Sequence, residues 1–260
     1  MDGLVMWPHL KKAPIVEALI DIRVELPPDC DLARLARYHE RVADQYPVRR
    51  ERFQWRSEVR ISKQEALAPE QKLTGGMDGY LFEKGDRSEV VQVRLDGFSF
   101  SRLQPYTSWG SLRTEAERLW AEYRVIADPV RITRVAVRYI NRIALPLPIQ
   151  SLSDWFVLRP ELPGVLAGCG PGFLLRVQSD FGSDQPKAIV SLLIEPGANN
   201  GRLPFVLDID VFQEVSWAPD SALLWSSLEK LRELKNELFF QSTSTRLLQA
   251  LEPTWEDGQG

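Results

Sequence analysis

The chain has 260 residues, a formal net charge of −4 and an isoelectric point near 5.4. Its 44% hydrophobic and 26% charged residues are typical of a globular protein, and the acidic balance argues against a nonspecific nucleic-acid binder. With only Cys30 and Cys169 there is no disulfide framework, and no apolar run is long enough to cross a membrane, so we expect a cytoplasmic protein.

The first half of the sequence predicts a strand, a helix, three more strands and a closing helix. Residues 14–26 alternate apolar and charged side chains, as a half-buried strand does, and a helix begins after Asp31. The remaining elements of this half are predicted at residues 51–62, 79–84, 90–102 and 110–126.

The second half repeats this order. Its opening strand, 131–146, reads RITRVAVRYINRIALP and places Val135, Val137 and Tyr139 on one face. A short helix, three strands and a long final helix follow, at residues 151–156, 173–181, 187–195, 204–215 and from Asp220 onward.

The two halves also share a short sequence match, and their apolar positions alternate in the same phase. IDIRVELP at 20–27 aligns with YINRIALP at 139–146, with the apolar positions in step. We therefore predict an α+β protein with an internal duplication of a β-α-β-β-β-α unit. The halves, 1–128 and 129–260, would fuse into one domain with pseudo-twofold symmetry. Eight antiparallel strands would form a barrel or a saddle with a charged inner face and helices outside.

A row of arginines follows one face of strand 131–146. Arg134, Arg138 and Arg142 recur every fourth residue, opposite the apolar face. In one interpretation they form a ladder with the acidic residues of strand 14–26, in the register Glu17–Arg142, Asp21–Arg138 and Glu25–Arg134. In the other they bind an anion, because guanidinium groups make forked hydrogen bonds to phosphate.

The second interpretation gives the leading functional hypothesis, which is noncatalytic binding of a phosphate-bearing ligand or an anionic partner protein on the charged face, without a cofactor. The candidate ligand-binding residues are Arg138, Arg142, Arg134, Arg56, Arg94 and Asn141. The sequence contains none of the motifs HExxH, CxxC, GxSxG or GxxxxGK, so no catalytic residue is assigned. A further alternative is an interaction scaffold whose charges only solvate the sheet.

An asparagine interrupts the strong helix pattern at Lys235-Asn236. Its side chain is directed either at the sheet or a partner, or at the adjacent loop, and we favour the loop. Phe239 and Phe240 would extend the apolar stripe of this helix to a second copy of the chain, which predicts a homodimer.

Five segments carry a family resemblance. They are APIVEALIDIRV (13–24), LQPYTSW (103–109), RVAVRYINRI (134–143), LDIDVF (207–212) and LRELKNELFF (231–240). Through them almost the whole chain resembles a sporadically distributed bacterial family to which no activity is assigned. The scattered occurrence of that family implies horizontal transfer, which fits an accessory or phage-defence role.

The duplicated, charged, eight-stranded architecture also resembles the triphosphate tunnel metalloenzymes, which hold a triphosphate with basic residues and a divalent metal with carboxylates. This resemblance implies the alternative of a phosphohydrolase or phosphoryl transferase that depends on Mg²⁺ or Mn²⁺. The acids could come from Glu17, Asp21, Glu195, Asp208 and Asp210, and the metal ligands would be Glu17, Asp21, Asp208 and Asp210. That family opens with the pattern ExExK, whereas this chain has acids four residues apart and an arginine in place of the lysine.

Overall fold

The computed structural model of the chain describes residues 7–60, 70–161, 172–180, 182, 185–197 and 200–255, without the side chains of 55–60 and 70–74. Within these ranges no helix is both long and apolar enough to cross a membrane. Cys169 lies outside the described residues.

The first half contains strands β1 to β6 and helices α1 to α3. Their bounds are β1 His9–Leu10, β2 Ile15–Glu25, α1 Leu32–Ala36, α2 His39–Val42, β3 Val48–Arg60, β4 Glu70–Glu83, β5 Glu89–Arg94, β6 Gly97–Leu103 and α3 Trp109–Ala127. The second half contains β7 Arg131–Pro146, a 3-10 turn Leu152–Asp154, β8 Leu174–Asp180, β9 Lys187–Ile194, β10 Arg202–Trp217, α4 Leu223–Ser242, α5 Thr245–Ala250 and β11 Pro253–Thr254.

Nine of the strands form one antiparallel sheet in the order β3-β4-β5-β6-β2-β7-β10-β9-β8. The prediction of eight strands was wrong because the predicted strand 90–102 is a hairpin, in which Val91 of β5 pairs with Phe100 of β6. The barrel is not observed either. Strands β3 and β8 are the two edges of the sheet and are not paired with each other in the described residues, so the sheet is open. The α+β class is confirmed.

Helices α3 and α4 cover one face of the sheet, α3 over β6 and β2, and α4 over β7 and β10. The apolar alternation predicted for β7 is confirmed, since Val135, Val137 and Tyr139 are buried beneath these helices. Each such side chain contributes roughly 1.5–3 kcal/mol when it leaves water, which fixes the face that β7 turns toward the helices. The opposite face carries the arginine row, and we call it the charged face.

The register between β2 and β7 differs from the predicted ladder by two residues. Leu19 lies opposite Arg138 and Arg23 opposite Arg134, whereas Glu25 lies opposite Arg131. Irregularities at Ile15/Glu17 and at Arg23/Val24 interrupt the pairing at both ends of the shared segment. A shift of two residues keeps every side chain on its face. The faces were therefore right and the predicted charge pairs wrong.

Candidate functional site

Arg134 is held between two strands of the charged face. Its guanidinium donates to Asp21 Oδ2 of β2 at 3.1 Å and to Asp210 Oδ2 of β10 at 3.0 Å. The same group lies 4.2 Å from the ring centroid of Phe212. Both of its charged hydrogen bonds are thus made to carboxylates of the chain itself.

The outer two arginines of the row also have carboxylate partners. Arg138 donates to both oxygens of Asp208, at 2.8 and 2.6 Å, and Arg142 donates to Glu195 Oε2 at 2.6 Å. Their side chains are 45% and 55% exposed, so the pairs lie in contact with water. The arginines therefore do pair with acids, as the ladder interpretation predicts, but these acids come from β10 and from the residue after β9 as well as from β2.

Arg94 of β5 lies deepest on this face, with a side chain only 8% exposed. It donates to Asp21 Oδ1 at 2.7 Å and to Asp96 Oδ1 at 2.8 Å. Asp21 thereby joins Arg94 to Arg134 across β2. A buried guanidinium needs this pairing, because an uncompensated buried charge costs several kcal/mol.

The structure separates the predicted ligand-binding residues into two groups. Arg134, Arg138, Arg142 and Arg94 share the charged face, while the side chain of Arg56 lies outside the described residues. Asn141 is on the opposite, helix-covered face and is 2% exposed. The prediction that Asn141 lies on the charged face was wrong, because along β7 Asn141 falls on the same side as Tyr139 and the arginines fall on the other side.

The predicted metal ligands do not form a cluster. In the described ranges no group of three or more His, Cys, Asp or Glu side chains could hold an ion together. Asp21, Asp208 and Asp210 each accept a hydrogen bond from an arginine. Burial raises the pKa of Asp210, against the opposing effect of Arg134. A cation at these oxygens would have to compete with a guanidinium group.

A cavity of about 1020 Å³ opens on the other side of the sheet, beside α4, and we call it the helix-side cavity. Its walls come from β7, from α4, from the segment between β6 and α3, and from the residues around β1, which pairs with β11. Aromatic rings make up much of this wall: Trp7, Tyr106, Trp109, Tyr139, Phe239 and Phe240. Trp7 is stacked on Phe240 with ring centroids 4.8 Å apart.

Lys235 of α4 is the most unusual residue of the cavity wall. The residue is 8% exposed, and its Nζ lies 3.9 Å from the ring centroid of Tyr139 and donates to Asn236 Oδ1 at 2.6 Å. None of the described carboxylates lies within hydrogen-bond or ion-pair distance of this amine. Burial, assisted by the nearby charge of Arg232, lowers its pKa to about 7.

Two tyrosines join their hydroxyls at the same wall. Tyr106 and Tyr139 are hydrogen-bonded at 3.1 Å, and their rings meet edge to face. Burial raises the pKa of both hydroxyls, so both stay protonated at neutral pH. On the same strand, Asn141 donates from Nδ2 to the carbonyl of Leu207 on β10 at 3.0 Å. Polar groups thus stand at fixed positions among the aromatic rings.

Arg232 lies one helical turn before Lys235, and its charge is compensated. Its Nη1 donates to Glu229 at 2.9 Å and to Glu233 at 2.7 Å. Glu229 also accepts a hydrogen bond of 2.6 Å from the indole of Trp109. This network ties the first residue of α3 to α4 and leaves Lys235 as the cation of the two that has no carboxylate partner in the described residues.

Sequence reasoning missed Lys235. The favoured interpretation of Lys235-Asn236 was wrong, because Asn236 Oδ1 accepts from the lysine instead of bonding a loop. A usable signal was present: Lys235 follows Leu228 and Leu231 at helical spacing, on the stripe that α4 buries. Lysine is almost never fully buried without a charged partner, so a lysine at such a position calls for an explanation.

Four of the five segments that carry the family resemblance meet at the helix-side cavity. They contribute Pro14 and Ile15, Tyr106 and Trp109, Tyr139 and Asn141, and Lys235 with Phe239. Asn141 contacts the fifth segment through Leu207. The sequence matches no family model and no curated protein, so the resemblance stays a prediction.

Proposed function

We propose that the protein binds a small anionic ligand with a flat apolar part in the helix-side cavity. The observation that carries this proposal is the amine of Lys235, which lines the cavity without a carboxylate partner in the described part of the chain. A bound anion would supply the missing counter-charge. It would hold Lys235 protonated and thereby raise its pKa from about 7.

The lining of the cavity has the chemistry that such a ligand requires. Lys11, Arg232 and Lys235 line it, whereas none of its described lining residues is an aspartate or glutamate. Ligand sites combine apolar and aromatic walls with a few polar groups, and their volumes are roughly 300–1,000 Å³. The cavity is at the upper end of this range, which leaves room for a ring and a charged group.

Thermal unfolding with simple probes tests the proposal. Benzoate and phenyl phosphate should stabilise the protein, by about 2.7 kcal/mol at a concentration a hundredfold above Kd, and benzyl alcohol should stabilise it less. Lys235→Met should abolish the effect of the anions. Lys230→Met, at an exposed position of the same helix, is the matched control and should retain the effect.

Three results would contradict the proposal. If neither anion stabilises the wild-type protein, or if benzyl alcohol stabilises it as much as benzoate does, the cavity does not select for negative charge. A response to benzoate that survives Lys235→Met would place the anion elsewhere.

A second candidate function is binding of a phosphate-bearing ligand or partner on the charged face. It is favoured by the half-exposed guanidinium groups of Arg138 and Arg142, each held by one carboxylate residue. We expect tripolyphosphate at low salt to stabilise the Lys235→Met variant, and Arg138→Ala to remove this stabilisation. Arg131→Ala is the control, because Arg131 is an equally exposed arginine of β7 paired with Glu25. A melting temperature indifferent to tripolyphosphate would exclude this candidate.

We also propose that the two halves are an internal duplication. It is supported, within the nine-stranded sheet, by the pairing of each half's first strand with its last, β2 with β6 and β7 with β10, and by the antiparallel pairing of β2 with β7. A helix follows β6 in the first half and β10 in the second. An experimental structure in which the two halves have different strand orders would contradict the duplication. The cytoplasmic location, the homodimer and the defence role stay predictions from the sequence.

A further inference from the structure

Lys235 places a primary amine at the wall of the helix-side cavity, between the ring of Tyr139 and the amide of Asn236. Resting on the binding function proposed for this cavity, we propose that the amine condenses with an aldehyde or ketone group of the anionic ligand. The ligand would then be held as an imine. This narrows its class to oxo acids and to aldehydes that carry a carboxylate or phosphate.

The position of the amine is well defined for such a reaction. Lys235 is anchored within the long helix α4, and its amine is confined by the aromatic ring on one side and the asparagine oxygen on the other. A reacting group gains most when its geometry is set before the partner arrives. Lys230, on the exposed side of the same helix, has no comparable confinement in the described structure.

The charges around the amine favour its neutral, nucleophilic form. On α4 itself, Arg232 disfavours the ammonium and Glu233 favours it, and burial is the largest effect. The ionisable groups that line the cavity from other elements are Tyr139 of β7, Tyr106 before α3, and His9 and Lys11 at β1. None of these four residues carries a carboxylate. With a pKa of about 7, half of the amines are unprotonated at neutral pH.

The reaction balances without a further reagent. The lone pair of Nζ attacks the carbonyl carbon, the carbon–oxygen π electrons move to oxygen, and a proton from the amine is transferred to that oxygen. The resulting carbinolamine loses its hydroxyl and the second amine proton as water, which leaves a carbon–nitrogen double bond. Water reverses the step, so the ligand is held covalently yet released. Desolvation beside another cation is an established way to activate a lysine for this chemistry.

Reductive trapping tests the inference. The wild-type protein is incubated near neutral pH with 4-formylbenzoate and sodium cyanoborohydride, whose hydride reduces the imine to a stable secondary amine. Peptide mapping then locates the adduct. We expect Lys235 to be modified at least about tenfold faster than Lys230, because the amine of Lys235 is confined beside Tyr139 and burial lowers its pKa to about 7, whereas Lys230 is exposed on the same helix. Excess benzoate should slow the modification of Lys235 and leave that of Lys230 unchanged.

The controls separate this inference from the binding function. In Lys235→Arg, which keeps a cation but lacks the nucleophile, the fast modification should disappear. If benzoate stabilises the protein but 4-formylbenzoate modifies Lys235 no faster than Lys230, the cavity binds anions and the imine proposal is wrong. If benzoate neither stabilises the protein nor slows the modification, the binding function itself fails. Mapping of the wild-type protein decides the question even if a variant does not fold.

Discussion

Lys235 occupies a position at which the packing of α4 calls for an apolar side chain. Leu228 and Leu231 precede it and Phe239 follows it on the buried side of the helix. A buried ammonium without a counter-charge is destabilising, and the usual response is loss of the proton. Such a residue lowers stability, which is the pattern expected where function and not folding selects the side chain.

The free energy of unfolding should therefore depend on pH in a way that Lys235 controls. Its pKa is about 7 in the folded protein, whereas an unfolded lysine titrates near about 10.4. Between these values the unfolded chain binds a proton that the folded chain does not, so stability rises with pH. From about pH 7 to about pH 9 the increase should be about 2 kcal/mol.

Urea unfolding at a series of pH values measures this effect. Lys235→Met should be more stable than the wild type near neutral pH and should lack the alkaline increase. Lys230→Met should keep the increase. Parallel pH profiles for the wild type and Lys235→Met would show that burial does not lower the pKa of Lys235 in the folded protein.

Asp21 is the second residue whose surroundings give a quantitative expectation. It joins the buried Arg94 to Arg134, so Asp21→Asn leaves two guanidinium groups with one carboxylate each. We expect a loss of about 3 kcal/mol in the free energy of unfolding, as when one partner of a buried pair is removed. Asp208→Asn is the matched control, because its partner Arg138 is 45% exposed. That change should cost about 1 kcal/mol or less.

Chemical denaturation of both variants measures the difference. Equal losses for Asp21→Asn and Asp208→Asn would mean that burial does not strengthen the ion pairs that Asp21 makes with Arg94 and Arg134.

At the scale of single elements, the sequence predicted the faces of β7 and, in the ladder interpretation, its pairing with β2, but not the register of that pairing. A period of two residues is a local property, and Val135, Val137 and Arg134 lie on the sides that it assigned. The register with β2 depends on irregularities in the backbone and on the competing acids of β10. Matching charges along two sequences cannot detect either effect, and so the predicted pairs were displaced by two residues.

The join between β6 and β2 depends on a glycine. Gly97 has φ of +154°, and a Cβ atom at this position would lie 2.4 Å from the carbonyl oxygen of Ile22 and 2.9 Å from the Cα of Arg23. Gly97→Ala should therefore destabilise the protein by about 2 kcal/mol, because both contacts are with backbone that cannot move alone. Gly110→Ala is the control. Nothing lies within 4 Å of its Cβ position, and alanine favours helix α3, so its effect should be neutral or stabilising by up to about 1 kcal/mol.

Thermal or urea unfolding of the two alanine variants compares them directly. A Gly97→Ala protein as stable as Gly110→Ala would indicate that β6 can move away from β2 at little cost.

At the scale of the whole molecule, the α+β class and most elements could be predicted, while the cavity could not. Its walls combine residues near 7–15, 104–109, 139–141 and 232–240, which no local pattern links. Only the folded sheet brings Tyr106 to Tyr139, and only the packing of α4 brings Lys235 over that ring. The arginine row could be predicted because its four-residue period is a local property of the sequence. The arginines of the row pair with carboxylates of the charged face, whereas the amine that has no carboxylate partner in the described residues is on the other side.

The pairing of β2 with β6 on one side and β7 on the other has a consequence for biosynthesis. A ribosome delivers β2 through β6 before it delivers β7, so in the growing chain β2 has a neighbour on one side only. Until β7 emerges, the other side presents free backbone N–H and C=O groups, which is the feature by which nascent sheets associate wrongly. Asp21 lies on this strand, and until then it has Arg94 of β5 as a partner but not Arg134. Charged residues on a strand with an open side discourage pairing with a second nascent copy, and the docking of β7 gives Asp21 its second arginine partner.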